Sequence, residues 1–223
     1  MVRKRSAAGP DFHILYPDKH LWIEAVAPGE GEGKDAVPSI FEHDRFQQVP
    51  EDKIILRFTN GILTKIERRE AYLETGEIGS KDAFVIAVNG HGIGMNLFDG
   101  SLPTIVKAVY ARGDYAVTIA WNPTDINASK IIRAGYQPRL HIMKASKASV
   151  PTDLFLNPDN SGVSGILYSD AALWQLPTRP GSEFLYVDNS VAATRLRADW
   201  LGMGRYSFLD GDQFRIVAQP TPS

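Results

Sequence analysis

Two acids, Asp11 and Glu24, stand on either side of a short turn and carry the chemistry most open to argument in this chain. Pairing Tyr16 with Leu21 across that turn puts His13 opposite Glu24 and Asp11 opposite Val26. Alternate residues of a strand share a face, so Asp11, His13, Glu24 and Val26 project from one side. Asp11 and Glu24 are then diagonal neighbours, close enough for one cation to bridge them. Mg²⁺ takes oxygen ligands, commonly one or two carboxylates completed by water and a substrate phosphate. His13 is read either as a general base or third ligand, or as the cross-strand partner of Glu24. Each acid also has a plainer reading. Asp11 follows Gly9-Pro10 as a turn residue would, and Glu24 fits a solvated strand position.

The elements that must position these groups follow from pattern. Phe-His-Ile-Leu-Tyr over 12–16 and Leu-Trp-Ile-Glu-Ala-Val over 21–26 are short β-rich runs, joined by Pro17-Asp18-Lys19-His20 as a hairpin turn. A Gly-rich polar loop covers 28–38, and 39–50 is irregular. A helix is predicted over 52–74, capped by Asp52. Ile55, Phe58, Ile62, Ile66 and Leu73 form its apolar stripe. Glu67, Arg68, Arg69 and Glu70 form its solvated face, Asn60-Gly61 weakens its middle, and Gly76 ends it. Lys65, three residues after Ile62, lies at the edge of the stripe and points toward the sheet. It either serves the acids or snorkels over the core edge. Arg57, on the same helix, is a candidate phosphate contact. Phe-Val-Ile-Ala-Val over 84–88 is a buried central strand. A short helix over 102–110 and strands over 115–121, 163–168 and 184–187 follow. The fold class is α/β, with a mixed central sheet flanked by helices. No composition shift divides the chain, so 1–223 is read as one domain, with a core over about 10–120 and a C-terminal α+β extension over about 121–223.

Composition narrows the function classes. The chain has 223 residues, 43% hydrophobic and 22% charged, enough to bury a core. It has no cysteine, which removes disulfides, thiolate nucleophiles and Cys-ligated zinc. A net charge of −2 supplies no global basic field, so a nucleic-acid partner requires a local patch. No apolar run approaches the ~20 residues of a membrane helix. The basic start, Met1-Val2-Arg3-Lys4-Arg5, leads into Ser6-Ala7-Ala8-Gly9-Pro10, not into the apolar core of a signal peptide. A cytoplasmic location without a membrane partner is expected, with frayed residues at both termini.

Pro10-Asp11 on the first strand and Glu24-Ala25-Val26 on the second resemble the motif of the PD-(D/E)XK, or restriction-endonuclease-like, nuclease superfamily. The resemblance covers about 80 residues and includes the following helix and buried strand. It implies that Asp11 and Glu24 bind Mg²⁺, with Mn²⁺ as substitute, and that the substrate is DNA. A homodimer is compatible with it, although no interface is marked. The lysine of the motif falls at Val26. In some members that lysine migrates to the following helix, where Lys65 is the candidate. Ten residues precede Asp11, whereas a helix usually precedes this strand in the superfamily. The loss of lysine also admits an inactive nuclease fold that binds nucleic acid or protein. Ser164 to Ser169 and Phe184 to Asn189 also resemble the tail of uncharacterised bacterial proteins that carry this hairpin.

Three other patterns carry less. Gly29-Glu30-Gly31-Glu32-Gly33-Lys34 is followed by Asp35, not Ser or Thr, and its glutamates repel phosphate. Gly90-His91-Gly92-Ile93-Gly94 has Met95 in the sixth position of a dinucleotide fingerprint, and Phe98-Asp99-Gly100 argues against an immediate helix. No GxSxG elbow occurs among the serines.

Overall fold

The computed structural model describes residues 2–4, 9–15, 20–39, 49–93, 102–172 and 177–218. Tyr16, the turn at 17–19, most of the stretch 39–50, Met95, Phe98 and residues 219–223 lie outside them. An eight-stranded mixed sheet runs in the order β1-β2-β3-β4-β9-β10-β11-β12. Its strands are β1 (Val2–Lys4), β2 (Phe12–Leu15), β3 (His20–Val26), β4 (Ala83–Asn89), β9 (Gly165–Ser169), β10 (Leu185–Asp188), β11 (Arg205–Asp210) and β12 (Gln213–Ala218). The centre, β3-β4-β9, is parallel. The basic start, expected to fray, instead pairs antiparallel with β2 as an edge strand.

The two α-helices among the described residues, α1 (Glu51–Glu74) and α2 (Thr104–Tyr110), belong to one hydrophobic cluster with Phe84, Ile86 and Ile166. They therefore cover the same face of the sheet. On the other face, Leu21, Val85 and Tyr186 are covered by Leu196 and Trp200. Among the described residues, therefore, the helices flank one side of the sheet and no α-helix follows Tyr110. The C-terminal half contributes β9 to β12 to the same sheet. Between α2 and β9 lie two separate two-stranded ribbons. One pairs β5 (Arg112–Ala120) with β6 (Lys130–Pro138), and the other pairs β7 (His141–Met143) with β8 (Ser149–Pro151).

Helix α1 begins one residue earlier than its pattern predicts. Its cap position is Pro50, with no side-chain cap, so Asp52 lies inside the first turn. There, with Glu51, it complements the positive end of the helix dipole. The helix also runs through Gly61 unbroken. A β-carbon at Gly61 would come within 3.3 Å of Pro28 Cγ and 3.5 Å of Val26 Cγ2. The propensity lost at Gly61, roughly 1 kcal/mol, is exchanged for close approach of α1 to the end of β3.

Candidate functional site

The hairpin closes two residues away from its expected register. Ile14, not Tyr16, pairs with Leu21, and His13 pairs with Trp22. A shift of two keeps every side chain on its face. It also brings Asp11 alongside Glu24 in place of the expected diagonal. The Asp11 N–H donates to Glu24 Oε2 at 3.3 Å, and the Ala25 N–H donates to Asp11 Oδ2 at 2.9 Å. His13 accordingly does not face Glu24. Its ring stacks on Trp22 at 3.6 Å between centroids, and its Nε2 lies 3.0 Å from His20 Nδ1.

Glu24 is 1% exposed. An isolated carboxylate so buried would cost several kcal/mol, so partners are required. Helix α1 supplies them. Lys65 Nζ donates to Glu24 Oε1 at 2.8 Å, and Arg68 Nη1 donates to the same oxygen at 3.0 Å. The Tyr72 hydroxyl reaches Oε2 at 3.5 Å. Lys65 is itself buried, whereas the Arg68 side chain is about half exposed. The hydrogen bond to Glu24 holds the Arg68 guanidinium above its ordinary pKa.

Asp11, Glu24 and Lys65, singled out from sequence, therefore meet at one point. Arg57 does not join them. Its Nε donates to Gly29 O at 2.8 Å and its guanidinium packs on Gly31, so it clamps the Gly-rich loop. Arg68 and Tyr72 were not singled out, and Arg69 does not belong to a solvated face. Arg69 is buried against Gly162, where a β-carbon would overlap its guanidinium. The legible signal was spacing: Phe58, Ile62, Lys65, Arg69 and Tyr72 alternate by four and three, so the charged residues continue the buried stripe.

Two oxygen donors of this kind suit a hard divalent cation, which needs no more than one or two carboxylates. Among the described residues no group of three or more His, Asp or Glu gathers at ligand distance.

A second titratable cluster lies on the opposite face. Asp188 is buried, its Oδ1 has no hydrogen-bond partner among the described residues, and Arg195 Nη2 is 3.8 Å from Oδ2. Burial pushes the carboxyl up to about 6, while Arg195 and a hydrogen bond with Tyr206 pull it down less strongly. A raised folded-state value favours the neutral acid. Its stabilisation is complete below the unfolded value of about 4 and is lost as pH rises through about 6. Allowing for screening by solvent, the loss should be about 2 kcal/mol. Asp188→Asn should remove that decline, so urea unfolding at pH 5 and pH 8 should give nearly equal stabilities for the variant. An unchanged pH dependence in Asp188→Asn would assign the decline to other groups.

No protein-family model, no curated protein and no solved structure matches the chain. No helix among the described residues is long and apolar enough to cross a membrane.

Proposed function

We propose that the chain is a metal-dependent, nuclease-like enzyme with a restriction-endonuclease-like core that hydrolyses DNA phosphodiester bonds. The observation that supports this reading is the contact of Lys65 with Glu24, made from the helix after the acid hairpin, where a basic group would stand in for the lysine that the resemblance expects at Val26. Asp11 and Glu24 would hold Mg²⁺ or Mn²⁺, which supplies Lewis-acid polarisation of the phosphate and an activated water. Lys65 keeps a positive charge at the acid pair, where it orients the attacking water or neutralises charge developing on the phosphate. Arg68 competes for the same Glu24 oxygen, and its half-exposed side chain can swing toward solvent when a cation enters.

A second reading, an inactive fold that binds nucleic acid or protein, is favoured by one observation. Both Glu24 oxygens already accept hydrogen bonds within a buried ion pair. Cleavage separates the two. Plasmid and linear DNA should be cut with Mg²⁺ or Mn²⁺ and left intact with EDTA. Asp11→Asn keeps an acceptor for the Ala25 N–H but removes a charge, and should lower the rate roughly 100-fold or more. Intact DNA in every arm, with a folded wild-type protein, would reject the nuclease and leave the binding module.

A further inference from the structure

Beyond Tyr136, which packs against the core, the β5–β6 ribbon carries an apolar face whose side chains from Val117 to Ile132 stay largely exposed among the described residues. Its ladder pairs Tyr115 with Tyr136, Val117 with Ala134 and Ile119 with Ile131. Tyr115 and Tyr136 meet edge to face at 5.3 Å. Beyond Ile119, Trp121 extends the row. Ile119, Trp121 and Ile131 are 53, 64 and 67% exposed. The other face of the same ladder is polar or small, with Thr118 opposite Arg133 and Ala120 opposite Lys130. Along β5 this is the period-two alternation of a strand with one face meant for burial, and on β6 a register shift between Arg133 and Ile131 brings Ile131 opposite Ile119. The packed core of the chain lies elsewhere.

We propose that this face pairs with the same face of a second copy of the chain, giving a two-fold dimer. Three observations favour that occupant. The row, with the neighbouring Ile132, exposes on the order of 700 Å², close to the ~800 Å² per partner of a standard stable interface. Lone two-stranded ribbons are marginal in water, and two of them packed face to face make the sandwich that a single one lacks. The face also carries no cation from Tyr115 to Ala120, because Arg133 and Lys130 pair on the opposite side. A phosphate backbone would find nothing to bind there, whereas two copies of net charge −2 repel each other only weakly. A patch that meets itself is the self-complementary surface that two-fold symmetry requires. This inference is independent of the nuclease reading.

Sedimentation equilibrium of the full chain at tens of micromolar tests it. The wild type should have twice the 24.6 kDa chain mass. Ile119→Glu/Ile131→Glu should weaken association at least 100-fold and return the single-chain mass. Thr118→Glu/Arg133→Glu, on the polar face, should remain dimeric. These side chains lie outside the core, so unchanged circular dichroism is expected throughout. Because the chain has no cysteine, single cysteines at Val117, Ile119 and Ile131 give a clean second readout. At least one should form an inter-chain disulfide on oxidation, whereas Glu74→Cys on α1 should not. A monomeric wild type, or a dimer that survives Ile119→Glu/Ile131→Glu, overturns the proposal.

Discussion

Glu24→Leu should destabilise the protein by about 3–5 kcal/mol, and adding Lys65→Met should recover most of that loss. The single substitution leaves the Lys65 ammonium, buried between α1 and β3, facing a hydrocarbon in place of its carboxylate at 2.8 Å. The double substitution removes both charges from the interior and fills similar volume. Arg68, already half in solvent, turns outward without leaving a buried charge behind. Urea midpoints at an unchanged slope would read this directly. A Glu24→Leu variant as stable as wild type would show that the carboxylate does not hold the lysine in the folded state. The double variant has a further use. If it stays folded, it lacks both an acid and the lysine, so loss of DNA cleavage in it reports chemistry and not unfolding.

The second large effect is expected where α1 begins. Glu51 accepts from Lys107 Nζ at 2.5 Å and from Arg139 Nη1 at 2.6 Å. Lys107, on α2, is 0% exposed. Removing the two ends of this pair should therefore have unequal effects. Glu51→Ala takes the carboxylate from a fully buried ammonium and from Arg139 together and should cost about 2–4 kcal/mol, whereas Lys107→Met leaves Glu51 with Arg139 and should cost nearer 1 kcal/mol. Equal losses from the two variants would contradict this arrangement. Burial pushes the Glu51 carboxyl up, but hydrogen bonds from Lys107 and Arg139 outweigh it and leave its pKa lowered. A depressed carboxylate stabilises the fold above its unfolded value, and that contribution fades as pH falls through the folded one. Acid titration of Glu51→Ala should accordingly lose part of the wild-type decline below about pH 4.

Much of the frame was readable from apolar runs alone. The strands β4, β9 and β10 are largely buried and β3 about half so, which leaves short apolar runs in the sequence, and α1 announces itself through its stripe. The sites of failure share a cause. Along β6, Lys130, Arg133 and Gly135 interrupt the apolar pattern, because most of the strand is exposed and only Tyr136 packs against the core among the described residues. β11 and β12 lie at the sheet's end and are only partly buried. A hairpin signal was present there, since Gly211-Asp212 separates two β-rich runs and Gly211 takes φ +59°. The acid pair and Lys65 could be chosen by residue type and parity, but the hairpin register could not. Parity is blind to a shift of two, and only pairing geometry separates Ile14 from Tyr16 as the partner of Leu21. Arg68 hid inside the run Glu67 to Glu70, where a charged residue that turns inward reads the same as its solvated neighbours.

The parallel centre of the sheet also sets an order of events during synthesis. β4 hydrogen-bonds β3 on one side and β9 on the other, and the Phe84 N–H finds Ser164 Oγ only across a separation of 80 residues. At roughly 5–20 residues per second, a ribosome needs about 4–16 s to deliver that second neighbour after β4 emerges. For that interval Phe84, Val85 and Ile86 sit on an open, apolar strand edge, the kind that recruits other nascent chains. Chaperone dependence in this protein should therefore track translation speed between β4 and β9 more closely than the stability of the finished fold.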